Sequence, residues 1–292
     1  MMTNTAMTLK QKRIIVLSVF IVAVLITAIW IAWGNTALIT NKITITSDKI
    51  PQSFSGYRIV QISDFHNSEF GNDNVKLIEK IKEAQPDIIV FTGDLVDSHH
   101  TNIDIATAFA EKAAEAAPCY FVAGNHEARI DKDKYNQLIS ELAEAGVIIL
   151  ENQSVALVKN NESITLSGVN DPDFHSDWLL GDEVSVMDSA LAELMEETDG
   201  YTVLLSHRPE FFDTYVSHKV DLVLSGHAHG GQFRLPFVGG AVAPGQGLFP
   251  KYDAGLYSEE NTNMIVSRGI GNSIIPFRVN NRPEIVVVEL SR

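Results

Sequence analysis

The run Arg58-Ile59-Val60-Gln61-Ile62-Ser63-Asp64-Phe65-His66 sets the reading of this chain. Residues 58–63 have the composition of a buried strand, and the strand ends by delivering a carboxylate and an imidazole. The same figure returns four times. Residues 87–92 run into Gly93-Asp94-Leu95-Val96-Asp97, and residues 119–123 into Gly124-Asn125-His126-Glu127. Residues 201–205 lead to Ser206-His207, and residues 220–224 to Gly226-His227-Ala228-His229-Gly230-Gly231. In an open α/β sheet, functional groups gather beyond the carboxyl ends of the strands. Five segments scattered along the chain are therefore expected at one rim.

The intervening sequence supports that architecture. Residues 74–85 place Val75, Ile78 and Ile81 on one helical face, with Leu77 beside them, and Pro86 ends the helix. The alanine-rich stretch 105–117 is helical up to Pro118, and the helix at 135–145 stops at Gly146, a natural cap. Alternating strand and helix predicts right-handed crossovers and a largely parallel sheet. Beyond Gly146 come short strands at 147–150, 155–159 and 164–169, then helices at 185–197 and 210–216 around strand 201–205. The last segments, 231–235, 264–267 and 284–290, read as antiparallel strands. Residues 236–263 are rich in Gly and Pro and predict an ordered wall or lid with little regular structure. Its Phe237, Val242, Leu248, Phe249, Tyr252 and Tyr257 support an ordered segment; those from Phe237 to Phe249 face lipid, cover the cleft or, in the preferred reading, pack as ordinary core.

Composition bounds the setting. Residues 14–33 carry no charge and are long enough to cross a bilayer as one helix. Lys10, Lys12 and Arg13 precede them, no acidic residue occurs before position 34, and Trp30 and Trp33 sit where an interfacial aromatic belt would lie. The positive-inside rule gives a cytoplasmic amino terminus (1–13), a transmembrane signal-anchor (14–33), a connector (34–53) and a catalytic domain (54–292) outside the cytoplasm. The apolar stretch exceeds the usual core of a cleaved signal peptide, so the anchor is expected to stay. Of 22 basic and 37 acidic residues, three cations and no anions precede position 34; the remainder carries 19 against 37, a net charge of −18. Such a body repels nucleic acid, and no basic stripe interrupts it. The single cysteine, Cys119, excludes an internal disulfide and thiolate-rich metal sites.

The residue types at the strand ends point to divalent cations. On an extended backbone, residues i and i+2 share a face, so Asp64 and His66 can grip one ion, as can His227 and His229. Asp94, with two carboxylate oxygens, can bridge two ions; Asn125 adds a neutral oxygen and His207 a further imidazole. A set of nitrogen and oxygen donors without sulfur suits Mn²⁺, Fe²⁺ or Zn²⁺. Any one of these segments alone is weak: a lone Asp-x-His is commonly surface decoration.

In order, the segments resemble the calcineurin-like metallophosphoesterase superfamily, whose pattern is Asp-x-His, Gly-Asp-x-x-Asp, Gly-Asn-His-Asp/Glu, a lone His and Gly-His-x-His. The stretches Gly226 to Pro236 and Val266 to Ser273 are similar to the membrane-associated YkuE- or YaeI-like phosphodiesterase group. The resemblance implies a four-layer α/β/β/α sandwich preceded by one transmembrane helix. It implies two divalent metals, one held by Asp64, His66, Asp94 and His229, the other by Asp94, Asn125, His207 and His227. It makes His126 a catalytic group that contacts the phosphoryl group or protonates the leaving oxygen. Asp97 stands where the purple acid phosphatases carry a tyrosine, which excludes the ferric, coloured version; it is expected to orient a ligand histidine or to shape a turn. Arg234 and Arg268 are read either as grips on substrate phosphate or as plain ion pairs. The implied substrate is a phosphodiester, of lipid-linked or wall-polymer type given the tether. A pyrophosphate hydrolase of the UDP-2,3-diacylglucosamine type, a phosphomonoesterase and a non-catalytic scaffold are the alternatives.

Overall fold

Strand Arg58–Ile62 shows how period-two alternation builds this molecule. In the computed structural model, which describes residues 7–175, 182–196, 198, 200–272 and 275–292, Ile59 and Gln61 face one side of their sheet and Val60 and Ile62 the other. The first six residues of the expected cytoplasmic segment, the end of the helix expected at 185–197 and Ser273 of the second quoted motif lie outside the described residues.

A 28-residue helix, α1 (Leu9–Thr36), comes first. Strands β1 (Ile39–Thr46) and β2 (Arg58–Ile62) lead to α2 (Val75–Ala84), β3 (Ile88–Thr92), α3 (Ile103–Ala114) and β4 (Cys119–Val122). Then follow α4 (Asn125–Arg129), α5 (Lys132–Glu144), β5 (Val147–Ile149), β6 (Gln153–Lys159) and β7 (Glu162–Gly168). After α6 (Glu183–Glu196), β8 (Thr202–Leu205), α7 (Phe212–Ser217) and β9 (Leu222–Ser225) come two short ribbons. These are β10 (Arg234–Leu235) with β11 (Gly239–Gly240), and β12 (Val242–Ala243) with β13 (Gly247–Leu248). The chain closes with β14 (Gly255–Glu259), β15 (Thr262–Val266) and β16 (Glu284–Ser291).

Two mixed sheets of six strands result, in the orders β1-β16-β2-β3-β4-β5 and β14-β15-β9-β8-β7-β6. Three apolar interfaces separate four layers. Ile59, Val90, Val286, Val203 and Leu224 fill the space between the sheets. On the outer face of the first sheet, Val60 and Phe91 pack with Leu77 and Ile81 of α2, Phe109 of α3 and Leu138 of α5. On the outer face of the second, Leu204, Val223 and Met264 pack with Leu191 of α6 and Tyr215 of α7. Gln61 is the polar pin in the middle: its amide donates to Thr92 Oγ1 (3.0 Å) and, across the sandwich, to Ser225 O (2.9 Å). A buried donor costs too much unpaired to let the sheets slip.

Several sequence expectations change. The closing strands are not simply antiparallel. β15 runs parallel to β9 and antiparallel to β14, while β16 runs parallel to β1 and antiparallel to β2. The last strand therefore inserts between the first two, a long-range pairing that local pattern cannot show. The strand expected at 231–235 shrinks to Arg234–Leu235, because Gly230, Gly231 and Gln232 take left-handed φ values of 61°, 71° and 53° and bend the chain. The stretch 236–263 holds more regular structure than expected, with ribbons and β14. Tyr252 in it is buried against Phe212, but Phe237, Leu248 and Phe249 are exposed, so the core reading fails for these three. The connector does hold the strand that residues 42–47 predict, but it starts earlier, at Ile39, and forms an edge of the first sheet as β1.

Helix α1 opens with a capping box between Thr8 and Gln11 and has no buried residue along its length. It is long and apolar enough to cross a membrane. Its last turn is tied to the sandwich. Asn35 donates to Arg278 O (3.0 Å) and accepts from Arg278 N–H (2.7 Å), and the Arg282 guanidinium lies 4.5 Å over the Trp33 ring.

Candidate metal centre

All five strand-end segments meet at one rim. Asp64, His66, Asp94 and His229 each bring a ligand atom to a group whose atoms lie within 4.8 Å of one another, and Asp94, His207 and His227 form a second such group. Asp94 is common to both. Its Oδ2 lies 3.6 Å from His66 Nε2 and 3.1 Å from His207 Nε2. His66 Nε2 faces His229 Nε2 at 3.2 Å, and His229 Nε2 is 3.4 Å from Asp64 Oδ1. In the second group His227 Nδ1 faces His207 Nε2 at 3.2 Å. Asn125 is buried with them, between Gly124 and His126, which both lie against Asp94.

The local geometry differs from the i, i+2 argument. Asp64, His66, Asp94, His227 and His229 adopt φ values of 51°, 46°, 57°, 64° and 47°. The backbone is left-handed rather than extended at these positions, so each pair converges through a tight turn. Asp and His tolerate that region better than most side chains, yet holding five such residues at one rim costs energy the surrounding loops must supply. They do so by stitching. Asp64 N–H donates to Gly93 O (3.1 Å), His66 N–H to Asp94 O (3.0 Å), His227 N–H to Asp64 Oδ1 (3.0 Å) and His126 N–H to Asp94 Oδ1 (2.9 Å). Gly93 is required in that weave: its φ is +87°, and a Cβ there would meet His207 Nδ1 at 2.5 Å.

Electrostatics leave three of the four ring donors ready for cations, while His207 holds a proton that an ion would displace. Burial drives His66 and His229 down to about 3, against the pull of Asp94 and Asp64, and burial with the nearby Arg208 charge holds His227 well below the usual histidine range. These rings are neutral and offer lone pairs at neutral pH. For His207 burial also opposes charge, but Asp94, with Asp64 and Asp171 behind it, outweighs burial and raises the pKa to about 10. His207 Nδ1 sits 2.8 Å from Thr92 O, which fixes a proton there and turns Nε2 toward Asp94. Asp64 Oδ2, Asn125 Oδ1, His66 Nδ1, His227 Nε2 and His229 Nδ1 are buried without a hydrogen-bond partner. Buried polar atoms are ordinarily satisfied, so the orphaned oxygens of Asp64 and Asn125 call for an ion. The donor set fits two divalent cations sharing Asp94.

Residues 57–231 match the model of the calcineurin-like phosphoesterase family. The chain belongs to that family. It is 32% identical over 262 residues to the metallophosphoesterase YkuE of Bacillus subtilis (strain 168), covering 86% of this chain and 85% of that one. It is 30% identical over 238 residues to the phosphodiesterase YaeI of Escherichia coli (strain K12), covering 80% and 82%. A transmembrane protein with metallophosphoesterase domain from Danio rerio is 29% identical over 93% of this chain and 62% of its own length. Among solved structures, TT1561 of Thermus thermophilus superposes with a TM-score of 0.50 at 14% identity, over 74% of this chain and 91% of that one, a likeness of fold. This phosphoesterase is thus a metal-dependent hydrolase of phosphoric esters.

Around the centre of this phosphoesterase stand groups that sequence reasoning passed over. Glu127, fully buried, accepts from the N–H groups of Asp94 (2.8 Å), Gly124 (2.7 Å) and Val96 (3.1 Å) and so binds two rim loops together. Burial, with the Asp94 charge adding, pushes its pKa up to about 7 against those three donors. Arg208, beside His207, is clamped by Asp171 (2.6 and 2.9 Å) and Asp173 (2.9 Å). Glu210 Oε1 lies 3.8 Å from His227 Nε2. The Glu of Gly-Asn-His-Glu was legible as a residue but not as a clamp. The Asp171–Arg208 pair has no sequence signal, since 36 positions separate its members.

Asp97 shapes the turn, and its second oxygen stands beside two rim histidines without a hydrogen bond to His66. Oδ1 accepts from His99 and His100 N–H (2.8 and 2.9 Å), shaping the turn, while Oδ2 lies 3.6 Å from His66 Nδ1 and 3.7 Å from His126 Nδ1. Arg234 pairs with Asp253 (2.9 Å) and Arg268 with Glu284 (3.6 Å), the ion-pair reading for both. His175 is exposed, and His218 pairs with Asp188 (2.9 Å) at the surface, away from the rim.

Proposed function

We propose that this protein is a membrane-anchored, dinuclear phosphodiesterase. Asp64, His66, Asp94 and His229 hold one divalent cation, Mn²⁺, Fe²⁺ or Zn²⁺, and Asp94, Asn125, His207 and His227 hold the other. The observation that carries this reading is Asp94 standing in both donor groups, with orphaned oxygens of Asp64 and Asn125 on either side. Two such cations, when bound, draw charge from phosphoryl oxygens and acidify water enough for attack on phosphorus.

The chain's own groups do the rest. Thr92 O orients the His207 ring through Nδ1, Asp97 stands beside Nδ1 of His66, and the Nε2 atoms of both rings face Asp94. His126 Nδ1 accepts from Ser98 N–H (2.9 Å), which leaves the proton of a neutral ring on Nε2. That Nε2–H would donate a hydrogen bond to the phosphoryl group or to the departing ester oxygen, steadying the charge that develops there while solvent protonates the leaving alkoxide. The name of the YaeI relative favours a diester over a monoester.

In the same reading residues 1–13 lie in the cytoplasm, 14–33 cross the membrane, 34–53 lead out through β1, and 54–292 hydrolyse a lipid-linked or wall-polymer diester on the far side. The capped, apolar α1, none of whose residues is buried, and the transmembrane-named relatives support the anchor. Full-length protein in detergent, assayed with bis-p-nitrophenyl phosphate, tests the chemistry. Turnover is expected with Mn²⁺, lost to a chelator and restored by the metal. A folded, metal-loaded sample that leaves the diester intact contradicts the proposal. An alkaline phosphatase reporter fused after Trp33 tests the topology, and an inactive fusion reverses it.

A further inference from the structure

From Leu235 to Pro250 the chain has no charged residue, although one residue in five is charged overall and the body after position 33 is strongly acidic. Arg234 and Lys251 bracket this stretch. It forms the two ribbons, and it turns apolar side chains outward: Phe237 is fully exposed, Leu248 76%, Phe249 62% and Val238 61% exposed. Isolated apolar side chains on a surface mean little, but Phe237 and Val238 at the tip of the first ribbon and Leu248 and Phe249 at the end of the adjoining one leave four such side chains exposed within one short uncharged stretch.

The position of the patch follows from backbone contacts. Phe233 bridges to Val279, Arg234 N–H donates to Val279 O (3.0 Å), and the Phe233 and Phe277 rings lie 5.5 Å apart. Ala241 N–H donates to Phe233 O (2.8 Å), and Phe249 N–H to Ala241 O (2.9 Å). Both ribbons are thereby fastened to segment 277–280. That segment also receives the end of α1, through Arg278 and Asn35, and with Trp30, Ile31 and Trp33 it lines a cleft of about 120 Å³. The first ribbon begins at Arg234, five positions after His229.

We infer that the two ribbons at Leu235–Phe249 are a second membrane contact, dipping Phe237, Val238, Leu248 and Phe249 into the bilayer interface beside the exit of α1. An uncharged stretch with exposed aromatic and aliphatic side chains is the composition that partitions to that depth. The contact holds the rim of the metal centre against the headgroup plane, where an amphiphilic phosphate ester presents its phosphorus without leaving the bilayer. This inference rests on the proposed anchoring by residues 14–33.

Depth measurements on the full-length chain in phosphatidylcholine–phosphatidylglycerol vesicles test it. Cys119 is buried, so bimane can be placed singly with Val24→Cys in α1, Val238→Cys in the ribbons and Val158→Cys on the opposite edge of the second sheet. The expected result is quenching of the first two by acyl-chain nitroxide, with loss of iodide quenching, and the reverse for the third. Iodide access at position 238 equal to that at 158, with position 24 in lipid, overturns the inference but leaves the anchor; so does shielding of 238 from both quenchers, which means protein covers it. Iodide access at position 24 overturns the anchor itself. With Phe237→Asp and Phe249→Asp together, turnover of a vesicle-borne diester is expected to fall about tenfold. Bis-p-nitrophenyl phosphate in solution is expected to turn over at the unaltered rate; equal turnover of both substrates contradicts the inference.

Discussion

The metal centre and the ribbons that follow it sit a few residues apart and break opposite rules. Around Asp94, carboxylate, amide and imidazole atoms are buried, several without partners. At Phe237 and Phe249, large apolar side chains stand in the open. Burying unpaired polar atoms and exposing aromatic surface are each unfavourable in an isolated protein in water. The rigid, cross-stitched rim holds its donors for cations, whereas the ribbons hold their side chains for a surface. On the readings proposed above, each region would meet a partner of its own polarity.

The largest effect expected from disturbing this contrast is at its polar pole. Asp94→Asn removes the shared negative charge, so both cations weaken, and turnover of bis-p-nitrophenyl phosphate is expected to drop by about a thousandfold or more, with metal content falling in parallel. His126→Ala is expected to lose about 10²–10⁴ in kcat while keeping its metal; loss of metal instead would make His126 a ligand. Glu127→Ala strips three buried N–H groups of their acceptor. It is expected to weaken metal binding by about 10–100-fold and to lower the thermal midpoint, read by metal titration and melting. Phe237→Asp, at the apolar pole, is expected to change stability by no more than about 0.5 kcal/mol.

The chelated protein adds a pH signature. His66 and His229 fall from 6.5 to about 3 on folding, so the unfolded chain binds more protons in that window. Their contribution is present above pH 6.5 and lost as pH falls toward 3. His207, raised to about 10, behaves oppositely: its contribution is present below 6.5 and lost as pH rises toward 10. Melting temperatures of chelated protein should therefore decline on both sides of neutrality, and a profile that is flat below pH 6 would contradict the buried, neutral histidines.

Much of this was legible because strand and ligand are adjacent in sequence. An apolar run such as Ile59–Ile62 names its own layer, and the residues just after it name the rim. What was not legible depends on distance or on turn geometry. The insertion of β16 between β1 and β2, the clamp of Arg208 by Asp171, and Glu127 reaching the Asp94 amide join residues that no local pattern relates. The left-handed turns at Asp64 and His227 replace the simple alternation, because a loop leaving a strand is no longer bound by its pleat. Phe237 and Phe249 depart from the expected core packing because apolar composition alone does not say which partner an apolar side chain meets.

The central claim is a pair of cations joined through one carboxylate. Anomalous diffraction at the manganese edge, on crystals of protein loaded with Mn²⁺, tests it most directly. Two peaks per chain are expected, one among Asp64, His66 and His229, the other among Asn125, His207 and His227, with Asp94 touching both. A single peak, or two that share no residue, would contradict it.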